Sequence, residues 1–383
     1  MSVRVLVNGL SLASTGGSRS YLRNLLREAA RVDRGLSFHV AIARGRLSAE
    51  EAAGLPRIEV DLPESRGVGT LARVAVEQLW LPRAAREFDV LYCPADVAPA
   101  VGHAPTVVAL RNLNIYDRRF YDTPRTRLLF RLVRRGVRRP DVRVVTPTRA
   151  AADAIGPLVG IAPERFTIVP HGIDAAAFET APIAAAAEGP LPPYLFVPAN
   201  LERHKNLEVV FEALLRVDPR VEFWIAGGRD LDPGWARHLE SEARRLGVAS
   251  RVRFLGAVPY AQVLAYYRGA LALVFPSLLE TFGHPLLEAM LARTPILASD
   301  LPSFREIAGG AARYFRPTDP DDVARAIEDV LVGRPDVARR VEVGARRVAE
   351  LTWERSVDAL CTVLRETAGE AQPPALRATR RGP

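Results

Sequence analysis

Short apolar runs recur along the whole chain, each followed by a stretch of helical periodicity, and no other feature constrains the fold as tightly. In the first half the spacing predicts strands at Val3 to Asn8, Phe38 to Ala43, Val90 to Cys93, Thr106 to Arg111, Val142 to Pro147 and Phe166 to Pro170. Helical patterns lie between them, such as Tyr21 to Ala30 with Leu22, Leu25, Leu26 and Ala29 on one face. The alternation then restarts, with strands predicted at Tyr194 to Pro198, Val221 to Gly227, Val252 to Leu255, Leu271 to Phe275 and Pro295 to Ser299. Strand–helix alternation argues for an α/β protein with parallel, doubly wound sheets. A chain of 383 residues can bury two such cores. The small, proline-containing run AAFETAPIAAAAEGPLPP reads as the linker. The expected division is a first domain over 1–185, a second over 186–350, a helix over 351–368 and a disordered tail over 369–383.

Residues 270–291 read ALALVFPSLLETFGHPLLEAML. An apolar strand feeds a helix opening near Leu286 through a loop holding Pro276, Gly283 and Pro285. Such loops lie at the carboxyl ends of the strands, where open α/β folds take ligands. A helix start also presents backbone N–H groups and the positive end of a dipole, which together seat a phosphate. Two carboxylates flank that seat, Glu280 in the loop and Glu288 about one turn into the helix. An ionised carboxylate only accepts hydrogen bonds, so it suits hydroxyl groups rather than phosphate. Hydroxyl binders beside a phosphate seat indicate a nucleotide sugar. The bland alternative is a Glu288 that complements the dipole and a solvated Glu280; the enzymatic rival is a glycosidase carboxylate pair.

Glu280 and Glu288, with seven residues between them and Phe282-Gly283 inside, resemble the EX7E motif of retaining glycosyltransferases of the GT-B fold. Glycosyltransferase family 4 (glycosyl transferases group 1) is the best match. The likeness runs from about Val252 to Val332 and includes PSLLETFG, PLLEAM and TPILASDLPSFREIAGGAARYF. It implies two Rossmann-like domains facing across a cleft, the first for acceptor and the second for a nucleotide-diphosphate sugar. It implies that the helix after Leu351 crosses back onto the first domain. It implies, too, a catalytic Glu280, with Thr281, Phe282, Gly283, His284, Leu286 and Glu288 binding donor and Gly256 of FLGAV beside the nucleotide base. Retention of anomeric configuration follows from the resemblance alone.

Lys and Arg together number 52, yet only one is lysine, Lys205. It falls in NLERHKNLEVVFEAL, directly after the strand predicted at Tyr194 to Pro198. That segment resembles the family's loop in which basic residues grip the donor diphosphate, and Lys205 matches its lysine. The arginine usually beside it is His204 here, while Arg203 stands one position earlier, so both remain candidates. Breaking the bond from sugar to diphosphate puts negative charge on the leaving group. Lys205, Arg203 or His204, and the N–H groups near Gly283 to Leu286 would stabilise that charge without metal. No DxD-like acidic cluster stands beside the nucleotide segment, and no metal or cofactor is expected.

The loop GLSLASTGGSRSY holds Gly16 and Gly17 but not the GxGxxG of a dinucleotide turn. The resemblance places it near donor phosphate and sugar; a plain βα loop is the alternative. At the end of the strand in APTVVALRNLNIYD the family often carries His-Asp, and this chain has Arg111 and Asn112. A guanidinium stays protonated and cannot act as a general base. Arg111 either holds a phosphate or an acidic acceptor, or closes the strand end. Thr148 in TPTRAAADAI is placed to cap a helix.

Net charge is +8, concentrated in RRFYDTPRTRLLFRLVRRGVRRPDVR over 118–143. A helix here would bury Leu128, Leu129, Leu132 and Val133 and expose Arg131, Arg134, Arg135, Arg138 and Arg139. It reads as a peripheral contact for an anionic membrane or as an arginine-biased surface helix. Few aromatics interleave, so no nucleic-acid partner is expected. No apolar run reaches about 18 residues, the N-terminus carries no signal-peptide pattern, and Cys93 and Cys361 lie far apart without metal-ligand neighbours. These features predict a cytoplasmic enzyme, peripheral at the inner face of the membrane if the arginine-rich segment is a lipid contact. The expected activity is metal-independent, retaining transfer of a sugar to a hydroxyl of a saccharide, a lipid-linked molecule or a small molecule. Glycan, envelope polysaccharide or glycosylated-metabolite synthesis would be its setting. Two alternatives stay open, a GT-B nucleotide-sugar epimerase and a non-catalytic nucleotide-sugar or surface-binding protein, and the departure at Arg111-Asn112 is what keeps the second of them open.

Overall fold

The computed structural model describes residues 2–10, 17–45, 54–62, 68–102, 104–113, 116–120, 122–176 and 191–369. The chain divides into two compact units, Met1–Gly172 together with Trp353–Pro383, and Ile173–Thr352. Gly16, the linker over 177–190 and the tail from 370 lie outside the described residues. Where the chain passes between the units, Ile173 and Thr352 form an isolated parallel bridge, and the Ile173 N–H donates to the Leu351 carbonyl at 3.0 Å.

The first unit holds seven parallel strands: β1 (Val3–Asn8), β2 (Leu36–Ala43), β3 (Arg57–Val60), β4 (Val90–Cys93), β5 (Thr106–Ala109), β6 (Val142–Thr146) and β7 (Phe166–Ile168). Their order is β3-β2-β1-β4-β5-β6-β7, so the winding reverses between β1 and β4. Helices cover both faces of such a sheet, and central strands are then apolar throughout; β4, VLYC, is buried at every position. On one face, helix Gly17–Arg31 packs Leu22, Leu25 and Leu26 against Val5 and Val7. The C-terminal helix Trp353–Thr367 adds Trp353, Val357, Leu360 and Leu364 to the same core.

The second unit has six parallel strands, β8 (Tyr194–Pro198), β9 (Glu222–Ala226), β10 (Val252–Gly256), β11 (Ala272–Phe275), β12 (Ile296–Ser299) and β13 (Ala312–Phe315). Their order is β10-β9-β8-β11-β12-β13, reversing between β8 and β11. Ligands of open α/β sheets bind at the carboxyl ends of the strands on either side of such a reversal. The two segments singled out in the sequence, the loop after β8 and the loop after β11, are the two that end there.

Several local expectations change. Helix Pro124–Val137 buries Val133, Gly136 and Val137, while Leu128 is 42% exposed. Gly136 packs so closely that a Cβ there would lie 2.9 Å from the Ala98 carbonyl, and apolar periodicity does not register a glycine as buried. Arg139, expected outside, has a side chain only 10% exposed, bonded to the Pro99 carbonyl at 2.9 Å and paired with Asp141. Thr148 does cap its helix, its hydroxyl accepting the Ala151 N–H at 3.0 Å. At the end of β9, Gly227 lies so close to the chain's own Ala199 carbonyl that no Cβ would fit.

Candidate functional site

After β8 the chain makes a 3-10 turn over Arg203–Lys205 and enters helix Glu208–Leu214 through Asn206. Asn206 is left-handed, with φ 53°. Its side-chain amide donates to the Pro276 carbonyl at 3.1 Å and the Pro317 carbonyl at 2.7 Å, so it ties the β8 loop to the β11 loop. The Leu278 N–H completes the tie by donating to the His204 carbonyl at 2.8 Å. These backbone anchors bring Lys205 Nζ to 2.5 Å from Glu280 Oε1, with both side chains 17% exposed. Ser277 donates to the same oxygen at 3.3 Å, and Ser303 donates to the Glu280 carbonyl at 2.9 Å. The ammonium also lies 5.7 Å from the centre of the Phe275 ring.

The two candidates beside Lys205 separate in the structure. Arg203 has a side chain 48% exposed, sits 4.5 Å over the Trp235 ring and pairs with Asp232 at 3.3 Å. His204 is 3% exposed, and burial, with the Lys205 charge added, pushes its pKa down to about 2. It is therefore neutral at ordinary pH and no cation for a diphosphate; it enters the site through its backbone carbonyl.

Helix His284–Ala292 starts two residues before the expected Leu286, with Pro285 in its first turn. Gly283 precedes it in a left-handed conformation, φ 98°, which only glycine adopts without strain. The Leu286 N–H is taken by the Gly283 carbonyl at 3.0 Å and Pro285 has none, so the anion seat expected over Gly283 to Leu286 is narrower than its residue span. Phe282 and Leu286 are core side chains, and Thr281 is buried as well; whatever these three offer a ligand is main-chain. His284 remains half-buried, its ring 5.1 Å from that of Phe282.

Glu288 is held differently from Glu280. Its carboxylate accepts the Tyr260 hydroxyl at 3.1 Å on Oε1 and the Tyr267 hydroxyl at 2.9 Å on Oε2. Burial raises its pKa, and the two phenols oppose that rise. Gly256 ends β10 with φ 73° and open space where a Cβ would stand, so the backbone conformation rather than a close neighbour calls for glycine. No spacing rule had pointed to Tyr260, Tyr267 or Ser303.

In the first unit Gly17 opens helix Gly17–Arg31. Arg111 is pinned: its Nε donates to the Pro94 carbonyl at 2.7 Å and its guanidinium lies 3.8 Å over the Tyr21 ring. The backbone N–H groups of Arg111 and Asn112 converge on Oδ1 of Asp96, at 2.8 and 3.1 Å. Asp96 has φ 60°, and burial raises its carboxyl pKa to about 6 against the opposing pull of Arg111. Neither spacing nor periodicity had pointed to this carboxylate. Cys93 and Cys361 are both buried free thiols. Among the described residues no group of three or more His, Cys, Asp or Glu side chains is placed to hold a metal ion, and no helix is long and apolar enough to cross a membrane.

Two parallel α/β units with these reversals have the architecture of the GT-B glycosyltransferases. The crystal structure of HepE from Anabaena in complex with UDP and glucose superposes with a TM-score of 0.74 at 17% identity, over 95% of this chain and 100% of that one. Sucrose-phosphate synthase from Thermosynechococcus elongatus gives 0.76 at 17% identity, over 95% and 98%. Sequence narrows the class. Residues 174–347 match the family described as glycosyl transferases group 1, and residues 15–177 match Glycosyltransferase Family 4. Each half of the chain thus carries a glycosyltransferase family signature. D-inositol 3-phosphate glycosyltransferase of Geodermatophilus obscurus is 32% identical over 255 residues, 62% of this chain and 55% of that protein. Phosphatidyl-myo-inositol mannosyltransferase of Mycobacterium tuberculosis is 33% identical over 197 residues, 49% and 50%. The chain spans about half the length of these curated relatives.

Proposed function

We propose that this chain is a retaining, metal-independent glycosyltransferase that moves a sugar from a nucleotide-diphosphate sugar to an acceptor hydroxyl. The observation that carries this reading is the Lys205–Glu280 pair at the reversal of the second sheet. An ammonium has three N–H donors; one serves Glu280, and the others are left to meet the phosphate oxygens. Arg203 is tethered to Asp232 by a largely exposed pair, and such pairs hold weakly enough to be exchanged for a doubly charged ligand. Lys205 and Arg203 would then stabilise the departing diphosphate in place of a divalent cation.

Glu280, its orientation fixed by Lys205, Ser277 and Ser303, accepts from a hydroxyl of the donor sugar. Glu288 accepts from the ribose. The bond from the anomeric carbon to the phosphate oxygen breaks, the acceptor oxygen bonds to that carbon from the same side, and its proton passes to the departing phosphate. In the first unit, Asp96 and Arg111 at the carboxyl end of the sheet would meet the acceptor. The names of the relatives, which pair sugars with inositol phosphate and phosphatidyl-myo-inositol, support a polyol, saccharide or lipid-linked acceptor. We place the enzyme in the cytoplasm, with exposed Leu128 among the arginines of helix Pro124–Val137 as its contact with anionic lipid.

Incubation with UDP-, GDP- and dTDP-sugars, with and without candidate acceptors, tests the reading. Nucleoside diphosphate released only with acceptor, at a rate untouched by EDTA, and a product of unchanged anomeric configuration support it. Altered sugar without acceptor would make the chain an epimerase, and no turnover under either condition would leave a binding protein.

A further inference from the structure

Each oxygen of the Glu288 carboxylate has a donor, since Tyr260 serves Oε1 at 3.1 Å and Tyr267 serves Oε2 at 2.9 Å. The two phenols are not equivalent. Tyr267 is fully buried, packs edge-on against Phe196 at 5.0 Å, and its hydroxyl also lies 3.3 Å from the Pro285 carbonyl. Tyr260 is 44% exposed, the first residue of helix Tyr260–Gly269, and follows Pro259 at the helix cap. Only Tyr260 can leave its bond without opening the core. A hydroxyl arriving from solvent along the direction the phenol now occupies on Oε1 therefore takes the place of the Tyr260 hydroxyl, not of the Tyr267 one.

We infer that Tyr260 is a built-in stand-in for a ribose hydroxyl, holding Glu288 Oε1 until a nucleotide exchanges its own hydroxyl for the phenol. This rests on the reading of Glu288 as the ribose binder. The exchange is one O–H donor for another on a buried carboxylate, so it leaves no acceptor orphaned. A buried acceptor without a donor carries a large desolvation penalty, which sets the specificity. With Tyr260 present, a nucleotide lacking the hydroxyl can bind while the phenol keeps Oε1 satisfied. Without the phenol, only a ligand that brings a hydroxyl can satisfy Oε1. Tyr260 thus makes the site tolerant of deoxyribonucleotides and slightly weakens its grip on ribonucleotides, because each ribonucleotide must displace it.

Tyr260→Phe keeps the ring and removes the hydroxyl at a half-exposed position, so folding is not at stake. The measurement is calorimetric binding of UDP and GDP and of their 2′- and 3′-deoxy analogues to wild type, Tyr260→Phe and Glu288→Gln. Tyr260→Phe is expected to bind the preferred ribonucleotide about threefold tighter or more, and to raise the ribo-to-deoxy affinity ratio at least fivefold. Unchanged or weaker ribonucleotide binding in Tyr260→Phe, or an unchanged ratio, overturns the inference while leaving the role of Glu288 intact. Wild-type ribonucleotide affinity in Glu288→Gln overturns the ribose reading itself, and the stand-in with it.

Discussion

Lys205 Nζ and Glu280 Oε1 lie 2.5 Å apart although 75 residues separate them in the chain, and each side chain keeps 17% of its surface. The pair is fixed from outside: Asn206 bonds two carbonyls of neighbouring loops, and Ser303 bonds the Glu280 backbone. Preorganised charge of this kind is where enzymes obtain much of their transition-state stabilisation.

Removing one partner strands the other. Lys205→Met is expected to lower kcat/KM by about 10²–10³-fold and to cost about 1–3 kcal/mol of stability by orphaning Glu280. The double variant Lys205→Met/Glu280→Gln should recover most of that stability in urea unfolding and none of the activity. Recovery of both would mean the pair is structural.

Gly283 sits at φ 98°, and a Cβ there would come within 2.9 Å of Phe304 and 3.2 Å of Leu286, both buried. Gly283→Ala combines left-handed strain with overpacking, and a loss of about 1–3 kcal/mol follows. Thermal unfolding measures it directly.

His204 carries a pH signature. Its pKa is about 2 in the folded chain and about 6.5 in the unfolded one, so the unfolded state takes up the proton first. Stability is therefore lost as pH falls below about 6.5, with this residue contributing a slope approaching 1.4 kcal/mol per pH unit. Urea unfolding at pH 7, 6 and 5 should show that slope in the wild type and a flatter one in His204→Gln.

Asp96 acts in the opposite sense. Its folded pKa is raised from 3.8 to about 6, so the native state holds the proton longer, and stability falls as pH rises through that window. Asp96→Asn keeps an oxygen for the Arg111 and Asn112 N–H groups and tolerates a positive φ. Its effect on the unfolding midpoint should be more favourable at pH 7.5 than at pH 4.5.

The two strands the sequence did not announce, β3 and β13, are the terminal strands of their sheets. An edge strand is covered on fewer sides and loses the continuous apolar signal; RIEV alternates exposed and half-buried positions, and ARYF exposes half of its length in part. The central strands, buried on both faces, were legible for the converse reason. Among the candidate residues, Lys205, Glu280 and Glu288 stood out in the sequence because a lone lysine, a strand–loop–helix context and a family resemblance mark them. Tyr260 did not, because it meets Glu288 across 28 residues through a fold contact that no local period encodes. Arg203 and His204 are adjacent, and only the 3-10 turn decides which side chain faces solvent and which is buried.

The most direct test is calorimetry with whichever of UDP, GDP and dTDP binds the wild-type chain best, set against its nucleoside, on wild type and Lys205→Ala. If the lone ammonium seats the diphosphate, Lys205→Ala loses about tenfold or more in diphosphate affinity, roughly 1.4 kcal/mol, while nucleoside affinity holds. Diphosphate affinity equal to that of wild type in a folded Lys205→Ala protein would contradict it.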